Sequence, residues 1–311
     1  MHAPDPLSLD GRVAVVTGAG AGLGRAEALA LSAAGARLVL NDLPGAADEV
    51  MEEIGGRGGE ARVVVGDVGE RATADALVST AVKDLGGLDI VVNNAGVLRD
   101  KMLFNMSDED WDLVIRVHLR GHFLLSRNAG AHWRQLSKSS QQPVYGRVVN
   151  TASEAFLVGS PGQANYAAAK AGITALTLST ARGFGRMGVR ANAICPRART
   201  AMTEDVFGAD AGLDREDADG LDPLSPEHVA PLVAYLASPA AERITGQVFV
   251  VYGAMVALLA APVVEKRFEA AAASWDLADL DKQIGSYFTD RDPAVGFAAD
   301  SVMDLERRRR V

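Results

Sequence analysis

The feature that most constrains the fold is the alternation of short β-branched runs with longer helical segments between residues 12 and 195. "RVAVVTG" at 12–18 is apolar at nearly every position and ends in glycine, a pattern typical of a buried strand in a parallel sheet. A helix is expected from about Gly22 to Ala34, with Gly35 as its C-terminal cap. The alternation predicts a parallel sheet with helices on both faces.

Both patterns recur along the chain. Further strands are expected at "ARLVLND", "ARVVVGDV", "LDIVVNNAG", "GRVVNTAS", "GVRANAICP" and "GQVFVVYG", and further helices at about 45–55, 70–86, 108–135, 163–187 and 226–237. An acidic stretch with Gly and Pro at about 196–226 is long enough to form a lid or substrate loop. We expect one doubly wound α/β domain over 1–253. A helical C-terminal extension over 254–311 is expected to pack on that domain or on a neighbouring subunit.

Composition narrows the class of protein. The chain has 311 residues, of which 48% are apolar and 23% charged, as in a soluble globular protein with a sizeable core. The net charge of −9 argues against a surface that binds nucleic acid. A single cysteine, Cys195, excludes an internal disulfide framework and a cysteine-based metal site, and no metal is expected.

Targeting signals are not apparent in the sequence. The N-terminus "MHAPDPLSLD" lacks the basic and apolar segments of a signal peptide. The longest apolar run, 254–264, is too short to span a bilayer, so no membrane insertion is expected. We therefore expect a cytoplasmic protein.

The first predicted strand leads into a glycine-rich turn, "TGAGAGLG", which contains Gly18, Gly22, Leu23 and Gly24. Glycines between a strand and a helix let the backbone and the helix N-terminus approach a pyrophosphate closely. Asp42 ends the second strand, at the distance where a carboxylate can hold the adenosine ribose hydroxyls and repel the extra phosphate of NADP. The cofactor expected is NAD. A plain structural turn and an ordinary turn carboxylate are the alternatives.

Two later strand ends extend this cofactor site. Asp67 and Val68 close the third strand, where an adenine ring would lie, and "NNAG" closes the fourth with Asn94, Ala95 and Gly96. Each of these sets could be ordinary turn chemistry. Together they are consistent with a continuous bed for a dinucleotide.

The segment "NYAAAK" places Tyr166 and Lys170 on one face of a helix. A fixed ammonium favours the phenolate and is expected to lower the tyrosine pKa toward neutrality, so Tyr166 could act as a general base. Ser153, after the fifth strand, can donate a hydrogen bond to a developing carbonyl oxygen. The alternative is an amphipathic helix with a buried tyrosine and a surface lysine.

The glycine turn, Asp42, "DV", "NNAG", Ser153 and "YAAAK" together resemble the short-chain dehydrogenase/reductase family over residues 10–253. The resemblance implies a seven-stranded Rossmann fold. It also implies a catalytic set of Ser153, Tyr166 and Lys170, with Lys170 holding the nicotinamide ribose. Pro196 and Thr200 match positions near the nicotinamide or the pyrophosphate. Relatives usually form dimers or tetramers through the helices at 108–135 and 163–187.

A narrower resemblance rests on "VIRVHLRGHFLLSR", "GQANYAAAKAG" and "SPEHVAPLVAYLAS". These segments are similar to the branch that contains the (3R)-hydroxyacyl-CoA dehydrogenase part of peroxisomal multifunctional enzyme type 2 and related bacterial acyl-CoA and 17β-hydroxysteroid dehydrogenases. The resemblance implies an NAD-dependent oxidoreductase that acts on a 3-hydroxyacyl-CoA. The alternatives are a 17β-hydroxysteroid dehydrogenase, a 3-oxoacyl-carrier-protein reductase and a catalytically silent NAD-binding protein.

Two departures from the family pattern leave residue roles open. His118 stands where the family usually has an asparagine that helps to carry a proton-relay water. It could exchange protons with a pKa near 6.5 or be a core histidine, and His122 is expected in packing or a subunit contact. Arg197 and Arg199 follow Pro196, and either could meet a coenzyme A phosphate or pair with acids such as Glu204 or Asp205. The substrate pocket is expected to be lined by residues 156–158, Met202, Phe207 and Leu213, and the arginine run at 307–310 to be a solvated tail.

Overall fold

The computed structural model of the protein describes residues 5–200, 222–270, 272–292 and 296–305. Within these ranges the predicted alternation of strands and helices is confirmed. The strands are β1 (Val13–Thr17), β2 (Arg37–Asp42), β3 (Ala61–Val65), β4 (Ile90–Asn93), β5 (Gly146–Thr151), β6 (Val189–Pro196), β7 (Val248–Tyr252) and β8 (Met255–Leu258).

The helices include all those predicted, with ends that differ by a few residues, and a short helix after β5 that was not predicted. They are α1 (Gly22–Ala33), α2 (Asp48–Gly56), α3 (Arg71–Asp84), α4 (Asp108–Ile115), α5 (Gly121–Ser140), α6 (Ala155–Val158), α7 (Ala164–Phe184), α8 (Ala230–Ala237), α9 (Leu277–Leu280) and α10 (Ser286–Phe288). The single helix predicted over 108–135 is α4 and α5 joined by a π-helical segment, Arg116–Arg120. Gly35 follows α1 with a φ of 104°, as expected of a glycine C-terminal cap.

The sheet has the order β3-β2-β1-β4-β5-β6-β7-β8. Strands β1 to β7 pair in parallel, which confirms the doubly wound fold. The strand number differs from the expectation, because β8 adds an eighth strand, antiparallel to β7. The chain order reverses between β1 and β4, and at such a switch point ligands bind beyond the carboxyl ends of the strands.

Apolar side chains bury both faces of the sheet. On one face α1, α2 and α8 cover residues such as Val16, Val92 and Ile194. On the other face the core includes Trp133 of α5 together with residues of α3 and α7. The side chain of Trp133 is fully buried, and its indole Nε1 donates a hydrogen bond to the carbonyl of Leu88 at 2.7 Å.

The chain divides into two compact units after Leu259. The first unit contains the whole sheet. The second, Ala260–Val311, contains α9 and α10 in its described residues, and in it Tyr287 donates a hydrogen bond to Glu265 at 2.9 Å. The part of the chain that the structure describes contains no helix long and apolar enough to cross a membrane.

Replacing Trp133 by phenylalanine should lower the free energy of unfolding of the sheet unit by about 2 kcal/mol, because it leaves the Leu88 carbonyl unpaired and reduces the packed volume. Denaturant unfolding followed by circular dichroism measures the change. The matched control is Trp275→Phe, an exposed tryptophan of the second unit, which should cost less than about 0.5 kcal/mol. Equal losses in the two variants would contradict the burial argument.

Candidate active site

Tyr166 and Lys170 lie one turn apart on α7, on the same face, as the sequence predicted. Lys170 is not a surface lysine: its side chain is 2% exposed and its Nζ donates a hydrogen bond to the carbonyl of Thr151 at 2.5 Å. The same Nζ lies 5.3 Å from the centroid of the Tyr166 ring. Burial lowers the pKa of Lys170 to about 7. The lysine thus joins α7 to the carboxyl end of β5.

The prediction that the Tyr166 pKa is lowered toward neutrality is wrong for the effect of the protein's own residues. Burial raises the pKa of the Tyr166 phenol to about 12, and a hydrogen bond with Ser153 only partly opposes this rise. The Lys170 ammonium is held by the Thr151 carbonyl, and its own pKa is lowered. The sequence showed the spacing of the two side chains, but not how much solvation the phenol loses.

Ser153 lies just beyond β5, next to the short helix α6. Its Oγ accepts a hydrogen bond from the amide of Ala155 at 3.2 Å, and its hydroxyl is close enough to the Tyr166 phenol to oppose the rise of the phenol pKa. The fold therefore brings the three predicted catalytic residues together at the carboxyl end of the sheet.

His118 lies in the π-helical segment and is 1% exposed. Its Nε2 is 3.0 Å from the amide nitrogen and 2.9 Å from the carbonyl oxygen of Val97. Its ring packs edge-on against Tyr166, with centroids 5.2 Å apart. Burial and the nearby Lys170 charge hold the pKa of His118 well below its usual range, so the ring is neutral at pH 7. Of the two alternatives, this favours a core histidine over proton exchange with a pKa near 6.5.

Two further buried titratable residues surround Lys170. His122, on α5, is 2% exposed, its Nε2 has no hydrogen-bond partner among the described residues, and burial lowers its pKa to about 3. Glu27, on α1, is fully buried, and neither carboxyl oxygen has a hydrogen-bond partner within the described ranges. Burial raises the pKa of Glu27 to about 8, against the attraction of Lys170.

Sequence reasoning missed Glu27, although a signal was present. The residue lies three positions after Gly24, on the face of α1 that buries Ala28 and Leu31 against the sheet. An acidic residue on an otherwise apolar buried face is unusual and often marks a functional site.

The glycine turn is packed too closely for side chains. A Cβ on Gly24 would lie 2.0 Å from the carbonyl oxygen of Gly18, and one on Gly20 would lie 2.2 Å from the carbonyl oxygen of Ala46. Gly18 and Gly22 have φ values of 63° and 52°, which favour glycine. Leu23 packs against the core below the turn. This backbone leads into the N-terminus of a 12-residue helix, an arrangement that fits a pyrophosphate.

Asn94 joins the glycine turn to the end of β4. Its Nδ2 donates to the carbonyls of Thr17 and Gly18 at 3.1 and 3.2 Å, and the amides of Asn94 and Ala95 both donate to the Thr17 hydroxyl. A Cβ on Gly96 would lie 2.3 Å from Cε1 of His118, so glycine is required beside that ring.

Asp42 is placed at the end of β2 beside the turn. Its Oδ2 accepts from the Gly20 amide at 2.8 Å and its Oδ1 from the Leu43 amide at 2.7 Å. Each carboxylate oxygen keeps a further lone pair with which it can accept a hydrogen bond from a ribose hydroxyl. Arg25, the nearby cation, is paired with Glu53 at 2.5 Å.

The remaining predicted cofactor residues lie at other strand ends. Asp67 accepts hydrogen bonds from the Gly69 amide at 2.7 Å and from Arg116. Val68 packs close to Gly121, where a Cβ would lie 2.9 Å from its side chain. Pro196 ends β6.

Thr200 stands next to the glycine turn. A Cβ on Gly22 would lie 3.0 Å from Cγ2 of Thr200. The segment after β6 therefore reaches the region expected to hold a pyrophosphate.

Arg197 and Arg199 both form ion pairs, but with partners that the sequence analysis did not name. Arg197 pairs with Glu154, and Arg199 pairs with Asp222 at 2.8 Å. The acids suggested as partners, Glu204 and Asp205, lie outside the described residues. So do Met202, Phe207 and Leu213 of the expected pocket wall and the arginines at 307–310. Residues 156–158 of that wall form α6, and Cys195 is buried in β6.

A sequence profile of a family described as enoyl-(acyl carrier protein) reductase matches residues 18–255. The chain belongs to the short-chain dehydrogenase/reductase family. It is an oxidoreductase by that membership, and enzymes of this family use nicotinamide cofactors.

Three relatives illustrate the range of similarity. The hydroxyacyl-CoA dehydrogenase ChsB1 of Mycobacterium tuberculosis is 60% identical over 95% of this chain and 94% of its own length. The peroxisomal multifunctional enzyme type 2 of Mus musculus is 41% identical over 76% of this chain, which corresponds to 31% of that longer protein. A crystal structure of a short chain dehydrogenase from Mycobacterium avium, 42% identical, superposes with a TM-score of 0.81 over 94% of this chain and 99% of that chain.

Replacing Glu27 by glutamine should stabilise the protein more at pH 8 than at pH 5. The folded-state pKa of Glu27, about 8, lies above the ordinary value of 4.5, so its contribution to stability is full below pH 4.5 and is lost as the pH rises to 8. The difference in unfolding free energy between Glu27→Gln and wild type should grow by about 2 kcal/mol or more over this window. Glu52→Gln, at an exposed glutamate of α2, is the control. Parallel stability curves for wild type and Glu27→Gln would refute the burial argument.

Proposed function

We propose that the chain is an NAD-dependent dehydrogenase of 3-hydroxyacyl-CoA thioesters, which interconverts a secondary alcohol and a ketone. The observation that carries this proposal is the contact of Ser153, Tyr166 and Lys170 at the carboxyl end of the sheet, on the same edge as the glycine turn. The choice of substrate is supported by the relatives, because proteins named as hydroxyacyl-CoA dehydrogenase and as peroxisomal multifunctional enzyme type 2 are among them.

When bound, an oxidised nicotinamide supplies the hydride acceptor and a positive charge that lowers the pKa of a nearby phenol. In the proposal the Tyr166 side chain takes the proton of the alcohol when the substrate is oxidised, and it returns a proton to the ketone when the substrate is reduced. Ser153, which lies next to Tyr166, holds the substrate oxygen through its hydroxyl. Lys170 keeps its ammonium close to the phenol ring and beside the site of the cofactor ribose.

The protonation states of these residues suit both directions of the reaction. A phenol with a pKa of about 12 is protonated at neutral pH and can donate its proton to a ketone that is being reduced. For oxidation the phenolate is needed, and the Ser153 hydrogen bond lowers the phenol pKa in that direction. The neutral His118 ring packs against the phenol and adds no charge beside it.

NAD is proposed over NADP because of the charges at the end of β2. The Asp42 carboxylate is anchored by two backbone amides and stands where a ribose phosphate would be repelled. Arg25, the cation that could otherwise favour such a phosphate, is paired with Glu53.

We also propose that the protein forms a homodimer or homotetramer through α4, α5 and α7 and is located in the cytoplasm. Each of these helices carries an exposed large apolar side chain: Trp111, Phe123 and Leu178. Light scattering of the purified protein tests the assembly, and a monomer at micromolar concentration would contradict it.

Tyr166→Phe should lower the kcat for a 3-hydroxyacyl-CoA with NAD by at least about a thousandfold, because it removes the hydroxyl that carries the proton while keeping the ring. NAD binding should change little. The matched control is Tyr235→Phe, at an exposed tyrosine of α8, which should keep full activity.

Running the assay with a 17β-hydroxysteroid and an acyl-carrier-protein ester beside the acyl-CoA identifies the substrate class. Preference for either of these over the acyl-CoA would overturn the proposed substrate. Absence of turnover on all three would leave the protein a silent cofactor binder.

Asp42→Ser should raise the KM for NAD by about tenfold and reduce the preference of the enzyme for NAD over NADP. The variant loses a charged hydrogen-bond acceptor, and with it the carboxylate that repels the ribose phosphate of NADP. Steady-state kinetics with both cofactors measures the two effects. Asp48→Asn, at an exposed carboxylate that begins α2, is the control. An unchanged ratio of kcat/KM for the two cofactors would show that Asp42 does not select NAD.

A further inference from the structure

Glu154 and Arg197 form a buried ion pair across the two strand ends that border the candidate site. Glu154 follows Ser153 after β5, and Arg197 follows Pro196 at the end of β6. The guanidinium Nε and Nη2 are 2.6 and 2.8 Å from the two carboxylate oxygens, so the pair is bidentate. The two residues are only 8% and 7% exposed.

The surroundings of the pair fix both partners. The Arg197 guanidinium carbon lies 5.3 Å from the centroid of the Tyr252 ring, and the Arg197 amide donates to the carbonyl of Val251 at 3.0 Å. Glu154 precedes α6, where the amides of Leu157 and Val158 donate to its carbonyl at 2.8 and 3.2 Å. Arg197 is therefore held within the fold, and its fork is already engaged by a carboxylate.

Stability alone does not account for such a pair. A buried ion pair is often no more stabilising than apolar side chains of the same volume, because both charges lose their hydration. Breaking the pair is costly, since an arginine cannot give up its proton and remains as a buried cation. The two charges cancel only while both partners are present.

The ion pair of Glu154 and Arg197 lies next to the catalytic residues. Burial, and after it the charge of Glu154, raises the pKa of the Cys195 thiol on β6, so Glu154 lies close to the strand end that borders the catalytic residues. The titratable groups that face Tyr166 are Lys170 of α7, His118 of the π-helical segment, Cys195 of β6 and Asp100 after β4.

We propose that Glu154 and Arg197 are positioning residues for the proposed dehydrogenase reaction. Their ion pair fixes the main chain on both sides of the substrate oxygen, so that Ser153 stays beside Tyr166, and the two charges of the pair cancel each other next to the catalytic residues. This inference rests on the proposed function and names two residues through which that site is held.

The test is Glu154→Gln, which keeps the shape of the side chain and leaves the guanidinium unbalanced. The kcat should fall about tenfold, as expected for a displaced catalytic hydroxyl, with the KM for NAD within about twofold of wild type. The unbalanced cation favours the phenolate, so the midpoint of the pH–kcat/KM profile should move to lower pH by roughly one unit. The double variant Glu154→Gln with Arg197→Gln removes both charges and should return the midpoint to the wild-type pH.

The matched control is Glu242→Gln. It removes the carboxylate that pairs at 2.7 Å with Arg147, a 1% exposed arginine at the opposite end of the same strand β5. This variant should lose stability and keep the wild-type pH midpoint and kcat. If Glu154→Gln behaves in the same way, the pair is structural and the inference is overturned.

A second variant covers the case in which Glu154→Gln does not fold. Arg197→Lys keeps the charge but loses the bidentate fork, so it should lower kcat and leave the pH midpoint in place. A wild-type kcat in Arg197→Lys would overturn the positioning role. Absence of turnover in the wild type refutes the proposed function itself, and this inference with it.

Discussion

The buried ammonium of Lys170 is the constraint on which the candidate site depends. Burial lowers the pKa of this amine to about 7, and its charged form is compensated by the carbonyl of Thr151 at 2.5 Å. Together with the hydrogen bond that Asn150 of β5 donates to Thr177 of α7 at 2.8 Å, that contact holds α7 against the end of β5 and sets the height of Tyr166 above the sheet. The histidines of the π-helical segment and α5 respond to the same charge, because both have lowered pKa values to which Lys170 contributes.

Much of this arrangement could be predicted from local sequence. Strand and helix positions follow from apolar periodicity, which depends only on neighbours along the chain. The glycine turn, Asp42 and the shared face of Tyr166 and Lys170 follow from fixed spacings on a strand, a turn and a helix. The structure confirms the predicted positions of these features.

The rest depends on contacts between distant segments, which a single sequence does not encode in a readable pattern. The pKa of Tyr166 is set by burial under the packed fold. Arg197 finds its carboxylate 43 residues away, at Glu154, whereas acids close in sequence had been the natural candidates. The eighth strand was missed because Met255–Leu258 carries no turn signal beyond Gly253 and continues into apolar chain. An acidic residue on the apolar face of α1 was a readable signal for Glu27, but the lack of a hydrogen-bond partner for its carboxylate among the described residues depends on contacts across the fold.

The π-helical segment between α4 and α5 has a consequence for how this region can vary. A π turn holds one more residue than an α turn, and each residue of an α-helix accounts for about 100° of rotation. Losing one residue from 116–120 would let the two helices fuse into a regular one, and would swing the far end round by that angle. The carbonyl of Asp110 on α4 accepts from Asn165 at 3.2 Å, and the Asn165 side chain in turn accepts from the Tyr166 amide at 2.7 Å. The number of residues in 116–120 therefore determines whether the contacts from α4 to Asn165 and Tyr166 can form. Deletions should be tolerated far less here than substitutions.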